Sequence, residues 1–446
     1  MREYIRKNSI FLPAAVAFFM PFGIRPLVWL IVLWMFVVIL RGDWRSCWKE
    51  NMNSRGKRFF LLLLLFFFFL HVIRIRYPDG LKEGMGELEI KLSFLLLPFL
   101  FTVTVRWTHE KQVKILRFFV AGVLFAALLC YGNALTNSLH FADGRIRFLP
   151  HPENRPWDNY FLYYDFSFRL HPSYFAMYVS FAVLLILESF PSEGKRIVSF
   201  PRFIMVLLIL FFFITIVLLS SRAGFFTFAF VVISYFLKRI REHSTPKEKA
   251  LVLIGMLLGV AIFIYSFLHG ERTKLMFRQI GSIEKWDHDP HYPGSIALRF
   301  ILWEDAWAII RDHPWWGTGT GSARTVLYRG KTEGRYLWPS KEKLNVHNQF
   351  LETWLEQGIT ALWILLAIVF FPFYRNDFSP KRVFYVLVWV VVINFLFESM
   401  LARVNGVVFL VFFYCLLVCG STAERKITHK SGRQEIPDLF PAFQDE

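Results

Sequence analysis

Residues 345–366 read NVHNQFLETWLEQGITALWILL, and this stretch decides the fold class. It begins with polar residues and then becomes as apolar as a membrane span, with its apolar residues at helical spacing. His347 is expected in the first turn of this helix. Because a helix N-terminus carries partial positive charge, it disfavours a protonated imidazole and favours anions nearby. The stretch therefore predicts a neutral histidine beside an anion site at a membrane surface, which suggests chemistry on a charged lipid.

Apolar runs of this kind recur along the whole chain. Of 446 residues, 55% are hydrophobic and 52 are Phe, and the mean hydropathy is +0.42. Such runs predict an all-α polytopic membrane protein with about twelve transmembrane helices. The predicted spans are 10–24, 26–40, 59–73, 92–105, 115–135, 171–190, 203–220, 222–238, 250–268, 350–371, 383–397 and 404–420.

These spans divide the chain into four parts. Residues 1–268 hold helices one to nine, and residues 350–420 hold helices ten to twelve. Between them, residues 269–349 form the one long external segment, which we expect to fold into helical hairpins packed over the membrane. Residues 421–446 form a polar tail that we expect to be disordered in the cytoplasm.

The net charge of +17 could suggest a nucleic-acid partner, but its placement excludes that class. With the N-terminus inside, the predicted cytoplasmic segments hold more than half of the Lys and Arg residues. This bias is the positive-inside rule, so the charge reflects topology and the bilayer is the partner. Four cysteines, none in a predicted external loop, imply no disulfide framework.

Arg222 lies in LLSSRAGFF, between two predicted spans. A charge at that depth costs several kcal/mol unless it snorkels, pairs or lines a polar cavity. Lys238 and Arg239 already anchor the following helix on the cytoplasmic side, so topology does not require Arg222. Snorkelling remains one interpretation, and an anion ligand is the one we favour.

Other polar residues cluster on the external side. The loop 136–170 is rich in Arg, His and aromatic residues and re-enters the membrane through Arg169 and His171. It can serve as an interfacial aromatic belt or as a wall that faces a sugar or headgroup. Downstream, SIALRFILWEDAWAIIRDHPWWG predicts an amphipathic helix with Arg299 and Trp303 at helical spacing, ended by Pro314.

Arg403 lies in the short turn FESMLARVNGVVF between the last two spans, where Glu398 could neutralise it. The run GTGTG has no preceding strand, so we interpret it as a flexible turn rather than a phosphate cradle. The segment WDHDPHYPG places Asp287, His288, Asp289 and His291 together. Alternating His and carboxylate residues could bind a divalent cation, but an exposed loop is the favoured interpretation.

Several motifs together resemble a known family. They are RLHPSYFAMY, SSRAGFF, ALRFILWEDAWAIIRDHPWWGTGTGS, HNQFLETWLEQGITALW and ESMLARVNG. From the loop after helix three onward, the chain resembles the O-antigen ligase and polymerase superfamily of bacterial envelope glycosyltransferases. The central family pattern is a His-Asn pair, nine residues and Gly-x-x-Gly. Here His347, Asn348 and Gly358 match, and Ala361 replaces the second glycine.

The resemblance implies a GT-C type architecture and a step of lipopolysaccharide biosynthesis. The donor would be a glycan on undecaprenyl pyrophosphate, and the reaction would be inverting, metal-independent and free of cofactors. The enzyme would lie in the bacterial inner membrane with its active site facing the periplasm. The functional residues carried across are Arg222 of the SR motif, Arg299 of the amphipathic helix, and His347.

The residues suit that chemistry. A departing polyprenyl pyrophosphate is weakly basic, so it needs positive charge more than a proton donor, and Arg222 and Arg299 can supply that charge. The attacking sugar hydroxyl is weakly acidic and benefits from a base, which is the role predicted for His347. The residues expected to contact substrate are Asn348, Arg169, His171, Trp303 and Arg403.

The acceptor is the least determined part. A ligase passes the glycan to a lipid A-core sugar, a polymerase passes it to another lipid-linked repeat, and a protein O-oligosaccharyltransferase passes it to Ser or Thr. The His-Asn motif, the modest length and the lack of an added soluble domain favour the ligase. The alternative from a different functional class is a transporter of lipid-linked glycans. It would place charges along a path through both leaflets, whereas the candidate charges here lie on the external side.

Overall fold

The computed structural model describes residues 9–75, 81–142, 144–152, 158–190, 197–242, 245–269, 295–332, 344–374 and 381–420. Within these ranges the protein is built from helices and one two-stranded hairpin. The segment 287–291, interpreted as an exposed loop rather than a cation site, and the predicted tail from residue 421 lie outside the described residues.

The helices before the hairpin begin with a pair joined by a 3-10 turn, Met20–Phe22. They are α1 (Phe11–Phe19), α2 (Ile24–Arg41), α3 (Trp44–Asn51), α4 (Arg55–Ile73), α5 (Leu81–Lys91), α6 (Ser93–Val103) and α7 (His109–Ser138). Local signals set some of these ends. Thr108 caps α7 by accepting a hydrogen bond from the amide of Lys111, and Gly42 ends α2 in the left-handed conformation.

The antiparallel hairpin follows α7 and pairs β1 (Leu139–Ala142) with β2 (Arg145–Phe148). The helices after it are α8 (Tyr163–Phe166), α9 (Pro172–Leu187), α10 (Arg202–Leu219), α11 (Arg222–Glu242), α12 (Pro246–His269), α13 (Ser295–Asp312), α14 (Ala323–Thr332), α15 (Gln349–Tyr374), α16 (Lys381–Phe397) and α17 (Val404–Cys419). A 3-10 turn, Met400–Ala402, separates α16 from α17.

Among the residues that the structure describes, six helices are long and apolar enough to cross a membrane: α2, α4, α7, α10, α11 and α15. Shorter apolar helices include α1 with its 3-10 turn, α9 and α17. The chain is thus an all-α, multi-pass membrane protein, as the sequence predicts. Each of the twelve predicted spans coincides with a helix, but the number twelve and the GT-C architecture stay predictions.

The centre of the bundle is formed by α9 and α17, whose residues are buried almost throughout. Aromatic rings pack between them: Tyr178 stacks on Phe409 with ring centroids 5.0 Å apart, and Phe181 meets Phe413 edge-on at 4.8 Å. Because every residue of α9 is buried, its position is fixed by neighbours on all sides. Its N-terminus is therefore a rigid place to hold functional groups.

Three segments outside the predicted spans contain more regular structure than the sequence indicates. Between the predicted spans 59–73 and 92–105, residues 81–91 form α5, and Lys91 is buried. The predicted loop 136–170 contains the β-hairpin and the short helix α8. The GTGTG run is a turn, but its backbone is hydrogen-bonded to α15: the amides of Thr318 and Gly319 donate to the carbonyls of Leu355 and Glu356, each at 2.8 Å.

Helix α15 is interrupted at Gly358, where φ is 77° and ψ is −179°. A side chain there would meet the carbonyl oxygen of Trp315 at 2.1 Å, so only glycine fits. The interruption separates a polar first part from an apolar second part. The polar part packs against α13 and the GTGTG turn. It thereby sets the position of the residues at the start of α15.

Candidate active site

The chain entering α15 is held by side-chain hydrogen bonds. Asn348 is the N-cap, and its Oδ1 accepts hydrogen bonds from the amides of Phe350 and Leu351 at 3.0 and 3.1 Å. His347 therefore precedes the helix by two residues, and the prediction that it lies in the first turn is wrong. Its φ of 53° is left-handed, a conformation that non-glycine residues adopt where the surroundings hold them.

A carboxylate, Glu398, joins two of the predicted catalytic residues. Its Oε2 lies 3.0 Å from Nδ1 of His347, and its Oε1 lies 3.0 Å from Nη2 of Arg299. Glu398 immediately follows α16, Arg299 lies on α13, and His347 lies before α15. Three distant segments thus meet at one carboxylate.

Two serines extend this cluster to the start of α11. Ser173 Oγ donates to Glu398 Oε1 at 3.3 Å, and Ser221 Oγ donates to Ser173 Oγ at 3.3 Å. Arg222 follows Ser221 directly and is half-buried. The backbone of the third predicted catalytic residue therefore lies beside the same cluster.

Glu398 is a stable anion in this setting. Burial raises the pKa of its carboxyl, but the hydrogen bond with His347 and the charge of Arg299 outweigh burial and lower the pKa to about 2. An ionised carboxylate at Nδ1 favours the tautomer with the proton on Nδ1. Nε2 of His347 is then left as the basic nitrogen.

A second imidazole, His171, borders the cluster just before α9. Its Nδ1 accepts a hydrogen bond from the amide of Ser173 at 3.2 Å, which requires that Nδ1 carry no proton. Burial, opposed by the charge of Glu398 and supported by that of Arg403, lowers the pKa of His171 to about 4. His171 is thus neutral near pH 7 and presents Nε2–H as a donor.

A cavity of about 480 Å³ opens next to His171. We call it the basic pocket, and it is lined by Phe22, Gly23, Ile24, Arg25, Pro26, Phe168, Arg169, Leu170, His171, Tyr174, Arg403 and Asn405. Two residues predicted to contact substrate, Arg169 and Arg403, line it together with His171.

The remaining predicted residues have contacts that shape the site. Trp303 Nε1 donates to the carbonyl of Val346 at 3.0 Å, and Asn348 Nδ2 donates to the carbonyl of Leu396 at 3.4 Å. Both side chains thereby position the backbone around His347. Their contact with substrate stays a prediction.

Sequence reasoning missed the role of Glu398. The sequence indicates a pair between Glu398 and Arg403, but within the described chain the ion pairs of Glu398 are with Arg299 and His347. The available signal was a carboxylate in a short turn between two apolar helices, where an unpaired charge is costly. Ser173 and Ser221 were missed as well, because a serine at a helix start usually serves as a cap.

Comparison with known proteins gives one family. Residues 206–366 match the family model described as O-Antigen ligase. The match includes Arg222, Arg299 and His347 and ends before Glu398. No curated protein matches the chain.

Proposed function

Because the chain belongs to the O-antigen ligase superfamily, we propose that it is a ligase that transfers a polysaccharide from undecaprenyl pyrophosphate to a lipid A-core sugar. The reaction takes place on the periplasmic face of the inner membrane. The observation that carries the proposal is the carboxylate of Glu398, which lies 3.0 Å from both His347 and Arg299. This arrangement orients a base and fixes a cation at one point.

The donor is held through its pyrophosphate by Arg222 and Arg299. A guanidinium has five N–H donors, so Arg299 can bind a phosphate oxygen while it keeps its bond to Glu398. Charge develops on the pyrophosphate as its bond to the sugar breaks. Fixed guanidinium groups stabilise that charge most effectively where water is scarce.

The acceptor is activated by His347. The hydrogen bond between Nδ1 and Glu398 orients the ring, and the carboxylate stabilises the imidazolium that forms when Nε2 takes the hydroxyl proton. Such general-base catalysis contributes on the order of 10²–10⁴-fold to the rate.

The bond changes balance without a further reactant. The acceptor oxygen attacks the anomeric carbon of the donor sugar from the face opposite the pyrophosphate. Its proton passes to Nε2 of His347, and the electron pair of the broken carbon–oxygen bond leaves with the pyrophosphate. The configuration at the anomeric carbon is inverted, because one displacement occurs.

The test is a transfer assay with purified protein, a labelled lipid-linked glycan and lipid A-core, without nucleotide sugar or added metal. We expect transfer by the wild type and a loss of about 10²–10⁴-fold in His347→Ala. Arg222→Ala and Arg299→Ala should lose activity as well. Retained activity in His347→Ala, with activity lost in both arginine variants, would contradict the role of base.

The same assay separates the alternatives by acceptor. Elongation of a second lipid-linked repeat would identify a polymerase, and transfer to a Ser- or Thr-containing peptide would identify a protein O-oligosaccharyltransferase. Movement of intact donor across vesicles without a new glycosidic bond would identify a transporter.

Turnover is expected to be unchanged by a chelator, since the proposed mechanism uses arginine residues to hold the pyrophosphate. Chelator-sensitive turnover would contradict this and favour a cation site at Asp287–His291.

A further inference from the structure

The basic pocket has a cationic lining that the proposed mechanism does not use. Its charged residues are Arg25, Arg169 and Arg403, and all three are exposed. None of the described residues that line it is Asp or Glu. Like charges that converge on one cavity repel each other, so the arrangement favours an anion between them.

Three helices begin at this pocket. Gly23, His171 and Arg403 are the N-cap residues of α2, α9 and α17, and each lines the cavity. No side chain caps α2 or α17. The first amides of these helices and the positive ends of their dipoles therefore add to the arginine charges.

A buried amide gives the independent indication of a ligand. Asn405 lines the pocket and is only 4% exposed, and its Nδ2 has no hydrogen-bond partner among the described residues. An unsatisfied buried donor costs about 1–3 kcal/mol, so native proteins rarely leave one. An anion in the pocket would accept from it.

The pocket adjoins the catalytic cluster through His171. This residue lines the cavity, and the charges of Glu398 and His347 both act on it. A group bound in the pocket would thus lie next to His347, close enough for a sugar attached to that group to reach this base.

We propose that the basic pocket binds a phosphate or pyrophosphate group of one of the two glycolipid substrates, through Arg25, Arg169, Arg403 and Asn405. The inference rests on the proposed function and adds an anion subsite distinct from the pair Arg222 and Arg299. Either the donor carrier or a phosphorylated acceptor can supply this group.

Binding is tested without turnover, in protein carrying His347→Ala. The probes are undecaprenyl pyrophosphate and lipid A-core with and without its phosphates, and the variants are Arg25→Ala and Arg25→Lys. We expect Arg25→Ala to raise the Kd of one phosphorylated probe by about 10-fold or more, and Arg25→Lys to restore part of the affinity. Arg241→Ala removes an exposed arginine at the far end of α11 and serves as the matched control.

Each outcome decides the proposal. Weaker binding of undecaprenyl pyrophosphate identifies the donor as the source, and weaker binding of phosphorylated but not dephosphorylated lipid A-core identifies the acceptor. Unchanged Kd values for every probe would overturn the proposal, as would equal effects of Arg25→Ala and Arg241→Ala. Because the assay needs no turnover, its result is independent of whether the transfer reaction is observed.

Discussion

At the scale of single residues, the site depends on how one carboxylate is shared. Glu398 holds an imidazole and a guanidinium at equal distances of 3.0 Å. It positions His347 and neutralises Arg299 without touching the reacting atoms in the proposed mechanism. Its removal should therefore affect the orientation of His347 more than the affinity for substrate.

We expect Glu398→Gln to lower kcat by up to about 10²–10⁴-fold, the contribution of a general base, with KM little changed. Steady-state kinetics measures kcat and KM separately and so tests this split.

Glu188→Gln is the matched control, because Glu188 is also a buried carboxylate with two cationic partners, Lys238 and Arg382, at the other end of α9. It should reduce stability but leave the turnover of folded protein unchanged. An equal loss of kcat in both variants would contradict the positioning role of Glu398.

The lowered pKa of His171 should make the stability of the protein depend on pH. Its pKa is lowered to about 4 in the folded protein, so between pH 4 and its ordinary value of 6.5 the unfolded chain binds more protons. Stability should therefore fall as pH decreases from about 6.5 to about 4. Thermal unfolding in detergent measures this slope.

The variant His171→Asn keeps a capping acceptor for the amide of Ser173 but cannot titrate. Its stability should fall less steeply than that of the wild type over the same interval. Identical slopes would show that His171 titrates as it does in the unfolded chain.

At the scale of elements, α15 depends on its interruption. Gly358 adopts a conformation that is nearly exclusive to glycine. A Cβ added there would also lie only 2.1 Å from the carbonyl oxygen of Trp315. We expect Gly358→Ala to destabilise the protein by more than the roughly 1–3 kcal/mol of backbone strain, because Trp315 must also move. Thermal unfolding measures the loss.

The chain offers a control that separates strain from clash. Gly42 also has positive φ, at 74°, but an added Cβ there meets nothing within 4 Å. Gly42→Ala should therefore cost only about 1–2 kcal/mol, the penalty of a left-handed alanine. Equal losses of stability at the two positions would mean that the clash with Trp315 does not contribute to the destabilisation.

The junction of α5 with α15 contains a buried charge cluster. Lys91 pairs with Glu87, and the charges of Glu352 and Glu356 also lie close enough to act on it. Removing one partner of a buried ion pair leaves an uncompensated charge. We expect Lys91→Met to cost about 3–5 kcal/mol in the free energy of unfolding.

Lys82→Met makes the same change at an exposed position of α5 and should stay near neutral. Adding Glu356→Gln to Lys91→Met should recover part of the stability. Failure of this rescue would show that Glu356 is compensated by other groups.

The elements themselves could be predicted from sequence, because a bilayer forces each apolar run of sufficient length to satisfy its backbone as a helix. The contacts of the site could not. Glu398 is separated by 51 residues from His347 and by 99 from Arg299, and no local pattern encodes such pairings. The burial of Lys91 and the break at Gly358 likewise depend on segments that meet only in the folded bundle.

At the scale of the whole molecule, the helix ends agree with the predicted topology. Six helix ends come together around the site and the basic pocket: the starts of α2, α9, α11, α15 and α17 and the end of α16. With the N-terminus inside, the predicted spans place all of these ends on the external side. The site is therefore expected to face the periplasm.

Single-cysteine labelling in a Cys47→Ser background tests this orientation, since the other cysteines are buried. A thiol reagent that cannot cross membranes should label an Arg145→Cys variant, in the β-hairpin, from the periplasmic side. It should label Arg241→Cys only after the cells are opened. The reverse pattern would place the site in the cytoplasm.

The backbone that carries His347 is clamped on both sides, by the bond from Trp303 to Val346 and by the cap at Asn348. Because Glu398 also holds the ring at 3.0 Å, we expect the imidazole to stay in place during the reaction. The two glycolipids, which diffuse laterally within their leaflet, must each reach this fixed imidazole in the correct orientation. We therefore expect the arrival of the two lipid substrates at the site to limit the rate.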